Sequence, residues 1–121
     1  MQDDAFDQLV KEVLETLPQE LRHYLPPIAI LVEAAPSPAL LQRLGIGPGF
    51  TLRGLYQGVP LSKRGYLDVP RLPDSITIFQ QPLEALGQTH GEIAALVRET
   101  VLHELGHYFG FDEAQIRALL S

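Results

Sequence analysis

The stretch from Thr89 to Gly110 constrains this chain more than any other. "TxxE" at Thr89–Glu92 is a capping-box signature that starts a helix, and the helical pattern runs through about Phe109 to Gly110, a residue suited to a left-handed cap. At about 100° per residue, Ile93, Leu96, Val97, Thr100, Glu104 and His107 fall on one side, with His103 at its edge; Ala95, Arg98 and Glu99 fall mostly opposite. Glu104 therefore stands near the middle of an otherwise apolar face. A buried, unpaired carboxylate is strongly unfavourable, so the fold must set a cation, a water-filled cleft or a hydrogen-bonding network beside it.

The histidines supply a reason for that carboxylate. His103 and His107 are four residues apart, one helical turn, so both imidazoles can converge on one ion, at about 2.0–2.1 Å per Zn–N bond. Glu104, next to the first histidine, is angled toward the open side of such an ion. There it can take a proton from a metal-activated water and pass it to a leaving amine. This is the H-E-x-x-H arrangement of zinc metallopeptidases. The bland alternative, histidines satisfied by backbone on a helix that only packs, leaves Glu104 unexplained. The chain has no cysteine, so any metal falls to His, Asp and Glu.

A catalytic zinc usually has three protein ligands and a water. After His107 the sequence has only "YFGFDEAQIRALLS", too short for the zincin class whose third ligand is a Glu on a much later helix. In the class with H-E-x-x-H-x-x-G-x-x-H, the glycine lets the chain turn so that the eleventh position swings back under the metal. Gly110 occupies the glycine position and Glu113 the eleventh. Asp112 competes, but if it caps the final helix "DEAQIRALLS", with Gln115 three residues on, its oxygens are committed and Glu113 is free to ligate. The methionine turn that supports the site in that class has no counterpart, since Met1 is the only methionine.

Elsewhere, Phe6, Leu9, Val10, Val13, Leu14 and Leu17 have helical spacing after Asp3 and Asp4, which can cap; this helix is expected to end at Pro18 and cover a sheet face. "PQELRHYL" adds a helical turn or two. Pro26 and Pro27 force an extended entry into the strand "IAILVEA". "SPALLQRLG" reads as a short helix with Ser37 as cap and Gly45 as stop. "TLRGLYQG" reads as a strand without a clean apolar face, Val59–Pro73 as a long surface loop or loose hairpin, and "SITIFQ" as a strand. Strands interleaved with helices of unequal length give an α+β class, one domain over residues 1–121, with the Thr89 helix packed on a small sheet.

Net charge −6 with scattered basic residues argues against nucleic acid. No apolar run approaches a membrane span, and the acidic start "MQDDAFDQLV" is unlike a signal peptide, so a cytoplasmic protein is expected.

Several pieces of the chain together resemble a known family, the small bacterial zincin-like metallopeptidases, minimal proteins long grouped as a domain of unknown function. The resemblance rests on the acidic N-terminal helix running into "LPQELR", on "IAILVE", "LRGLYQGVPLSKR" and "LPDSITIFQQPL", and most specifically on "VRETVLHELGHYFGFDE". It implies a minimal zincin-like α/β core with a small mixed sheet and the metal on the long helix. The family pattern usually has Asp where this chain has Glu113, and often a second His where Tyr108 stands.

The leading expectation is a zinc-dependent peptidase acting on a peptide or protein substrate, with His103, His107 and Glu113 as metal ligands and Glu104 as general base. The alternative is a zinc-binding interaction module without turnover. Tyr108 follows the second histidine but points toward packing, whereas Tyr56 and Tyr66 are placed to reach a cleft from another element. His23 and His90 have no ligand-spaced partner. "SITIFQ" is either an exposed edge able to pair with an extended peptide or an interior strand.

Overall fold

The strand Ser75–Phe79 (β3) is held on both sides, by Ala29–Glu33 (β1) in parallel and by Gly54–Gln57 (β2) in antiparallel orientation. The computed structural model describes residues 1–60 and 74–120, and over these the sheet is mixed with the order β1-β3-β2. The stretch 61–73, most of the expected loop and with it Tyr66, lies outside the described residues. In register, Ile30 faces Ile76, Val32 faces Ile78, and Tyr56 faces Ile76 from the other side. Ile76, Thr77, Ile78 and Phe79 are all buried, so "SITIFQ" is the interior strand, and among the described residues the sheet edges belong to β1 and β2.

The helices are Asp3–Glu15 (α1), Gln19–Arg22 (α2), Pro38–Arg43 (α3), Gln80–Leu86 (α4), His90–Phe109 (α5) and Glu113–Leu120 (α6). Phe6, Leu9, Val10 and Val13 of α1 are buried, as is Leu17 just beyond it. Each such side chain contributes about 1.5–3 kcal/mol when fully removed from water. Two details of α1 differ from expectation. Asp3 and Asp4 occupy its first turn, where they favour the helix dipole, while Gln2 is the cap position and makes no side-chain cap bond. Its main partner is α5 rather than the sheet. In α3, Ser37 Oγ accepts from the Leu40 N–H at 3.1 Å, as the sequence indicated.

Helix α4 was not expected. "QQPLEAL" opens straight out of β3 with no polar cap, and Pro82 sits in its first turn, where a missing N–H removes no helical bond. Burial of Leu83 and Gln80 holds it in place.

Helix α5 is the centre of the packing. Both arms of its capping box are formed: Thr89 Oγ1 accepts from the Glu92 N–H at 3.1 Å, and Glu92 Oε1 accepts from the Thr89 N–H at 3.2 Å. It contacts β2 and β3 as well as α1, α4 and α6, so Val101, Leu105 and Tyr108 are buried along with Ile93, Val97, Thr100 and Glu104. A single apolar face therefore understates the helix, which has neighbours on several sides. None of the described helices is long and apolar enough to cross a membrane.

Candidate metal centre

The last turns of α5 carry the site, and two neighbouring elements close it. Strand β2 lies against α5 at Gly54, where a Cβ would stand 2.5 Å from Thr100 Cγ2 and 3.5 Å from Glu104 Cγ. That close approach brings the backbone of the strand to the buried carboxylate: the Tyr56 N–H donates to Glu104 Oε1 at 2.8 Å. The network that the sequence required beside Glu104 is thus supplied partly by β2 main chain.

The second closing element is α6. Gly110 adopts φ 92°, and the N–H groups of Gly110 and Phe111 return to the carbonyls of His107 and Gly106, which ends α5 sharply and reverses the chain. Asp112 then caps α6. Its Oδ1 accepts from the Gln115 N–H and Gln115 Oε1 accepts from the Asp112 N–H, both at 2.8 Å. With Asp112 engaged in the cap, Glu113 in the first turn of α6 points back to the histidines. Its Oε2 is 2.9 Å from His103 Nε2 and its Oε1 is 2.9 Å from His107 Nε2. Candidate ligand atoms of His103, Glu104 and His107 also lie within 4.8 Å of one another.

The other nitrogen of His103, Nδ1, is 2.7 Å from Glu104 Oε2. His103 is therefore flanked by two carboxylates, Glu104 at Nδ1 and Glu113 at Nε2, while a neutral imidazole has only one N–H to offer them. A second proton on the ring satisfies both sides, and so does a metal ion at Nε2 with Nδ1–H donating to Glu104. This donor set of two imidazoles and a carboxylate suits zinc.

The charges respond accordingly. Burial works against a proton on His103, but hydrogen bonds to Glu104 and Glu113 and their negative charges outweigh it, and the His103 pKa is raised above the usual imidazole value. Glu113 is held below the usual carboxylate range, first by its hydrogen bond to His103 and also by the nearby charges of both histidines.

Around these groups is an open cleft of about 760 Å³, lined from one side by Arg53, Leu55 and Tyr56 and from the other by Thr100, Phe111 and the metal-site residues. Tyr56 stacks edge-on against Tyr108 with ring centroids 5.9 Å apart, and Tyr108 is buried in the core, in keeping with a packing role. His23 and His90 are exposed at α2 and at the start of α5, and neither joins the cluster. Sequence reasoning missed the Tyr56 main chain, since a backbone donor has no residue signature. The glycine at 54 was the one available clue to a close approach.

Residues 25–120 match the family model of the zincin-like metallopeptidases. Among solved structures, the chain is similar to a conserved hypothetical protein from Thermus thermophilus. The two are 26% identical with a TM-score of 0.58, over 90% of this chain and 94% of that one. No curated protein matches the chain.

Proposed function

The chain belongs to the zincin-like metallopeptidase family, and from that premise we propose that it is a zinc-dependent peptidase, one domain over residues 1–121. The observation that carries the reading is the convergence of His103 Nε2, His107 Nε2 and the Glu113 carboxylate, with Glu104 next to them. These three residues would hold the zinc ion, which when bound supplies a Lewis acid able to activate water at neutral pH.

The protein's own groups do the rest. Glu104 is the proton carrier: its Oε1 stays anchored by the Tyr56 N–H, and Oε2, now paired with His103 Nδ1, is the oxygen that takes a proton from water and returns it to the leaving amine. His103 is oriented by Glu104 and His107 by its place one turn further along α5. The cleft has room for an extended chain beside β2, which among the described residues is an edge strand of the sheet. The expected partner is therefore a peptide or protein substrate, in a cytoplasmic setting that fits the acidic start "MQDDAFDQLV".

One observation favours a second reading, a zinc-holding module without turnover: both Glu104 oxygens are already engaged within the protein. Protein purified without chelator, assayed for bound zinc and against a broad peptide library, separates the two. Stoichiometric zinc with hydrolysis that a chelator abolishes supports the peptidase. Stoichiometric zinc with no cleavage supports the module, and no zinc removes both.

A further inference from the structure

Glu113 lies one turn away from a tight contact between α6 and α5. Ile116 is the one residue of α6 buried among those whose side chains are described, and it is only 2% exposed. It sits three residues after Glu113, on the same side of the helix. Its seat is the backbone of α5 at Gly106, itself buried. A Cβ built on Gly106 would lie 2.6 Å from Ile116 Cγ1 and 2.9 Å from Ile116 Cδ1. Carbon atoms in ordinary contact are about 3.5–4.0 Å apart. A side chain at 106 would thus unseat the Ile116 side chain, by forcing it to another rotamer or by displacing α6, whereas metal–ligand distances tolerate only about 0.2 Å.

We infer that Gly106 is a positioning residue for the metal centre: the missing side chain lets Ile116 lock α6 onto α5, and this sets the Glu113 carboxylate at its 2.9 Å distance from both histidine Nε2 atoms. The inference rests on the reading of Glu113 as a zinc ligand. It assigns no chemistry to Gly106, whose effect is exerted through α6. The short loop strengthens the coupling. Phe111 N–H binds the Gly106 carbonyl at 2.9 Å, so the same residue ends α5, seats α6 and precedes His107.

The test is a double-mutant cycle on zinc affinity, read by competition with a chromogenic chelator. Gly106→Ala is expected to fold, since alanine favours the helix, and to bind zinc about 10–100-fold more weakly than wild type. Glu113→Ala is expected to weaken binding in the wild-type background and to add little in the Gly106→Ala background. Ile116→Ala, which frees α6 from its seat, is expected to behave like Gly106→Ala and decides the matter if that variant does not fold. A merely structural role would lower the metal-free melting temperature and leave zinc affinity alone. Wild-type affinity in a folded Gly106→Ala protein, or losses from Gly106→Ala and Glu113→Ala that multiply, would overturn the inference alone. A wild type that binds no zinc would overturn the zinc reading and the inference together.

Discussion

Tyr56 and Glu104, 48 positions apart in sequence, are joined by a 2.8 Å hydrogen bond from a strand N–H to a helix carboxylate. The bond explains how an acidic side chain that is only 6% exposed can stand on the inner face of α5. The strand lends one donor, His103 another, and the carboxylate is desolvated without being orphaned. It also sets the direction in which Glu104 faces the cleft.

Glu104→Gln tests the role of that carboxylate with least disturbance to the fold. The amide oxygen still accepts from Tyr56, so the variant is expected to fold. Although the amide NH2 no longer accepts from His103 Nδ1–H, the ligands His103, His107 and Glu113 remain and zinc is expected to be retained, more weakly, while hydrolysis falls by about 10²–10⁴-fold. His103→Ala is expected to lose zinc and activity together. Full activity in Glu104→Gln on a peptide that the wild type cleaves would end the proposed mechanism.

Glu113 and Asp112 should separate cleanly. Glu113→Ala removes a proposed ligand on an exposed helix start, so zinc affinity should drop about 10-fold or more, with a native-like circular dichroism spectrum. Asp112→Ala removes the cap bond to Gln115 and should cost about 0.5–2 kcal/mol of stability, seen as a lower melting temperature, with the smaller effect on zinc. The reverse ranking of zinc affinities would make Asp112 the ligand.

Zinc binding should be strongly pH-dependent. The ligand nitrogen of His103 must be unprotonated, and its pKa lies above the ordinary value of 6.5, so affinity should begin to fall at a higher pH than an unperturbed histidine would give. In the metal-free protein the signs run otherwise. The raised His103 pKa contributes stability that is full below 6.5 and lost as pH rises through the folded-state value. The lowered Glu113 pKa contributes stability present above 4.5 and lost as pH falls through its folded-state value. Metal-free stability from this cluster is therefore best between those limits, and the gain in melting temperature on adding zinc should grow as pH is raised from about 5.5 to about 8. A gain independent of pH would count against histidine ligation.

Chelation offers a check that needs no substrate. With free zinc at a hundred times its dissociation constant, binding to the native state alone adds about 2.7 kcal/mol, which chelator should remove. Equal thermal melts with zinc and with chelator would mean that no ion binds the native protein.

The core is tested by Leu105→Ala. Leu105, 2% exposed, lies on the side of α5 that the apolar pattern did not single out. Its truncation should cost about 2–5 kcal/mol in denaturant unfolding, because a buried leucine leaves a cavity as well as losing contacts.

By itself the sequence determined the elements that depend on local signals. The Thr89–Glu92 box, Gly110 and the Ser37 cap mark helix ends through bonds to neighbours a few residues away, and they occur as read. The four-residue spacing of His103 and His107 likewise follows from one helical turn, and the reciprocal cap of Asp112 and Gln115 was legible for the same reason. Tertiary structure alone decided what touches those elements from afar. Neither the pairing of β3 on both sides, nor the burial of Val101 and Leu105, nor the Tyr56 N–H on Glu104 has a local signature. Each arises where distant segments meet, and backbone groups and absent side chains such as those of Gly54 and Gly106 take part in contacts that no residue type announces. The histidine spacing is a property of one helix, but the cleft that makes it a candidate metal centre is built by two further elements, β2 and α6, closing around its end.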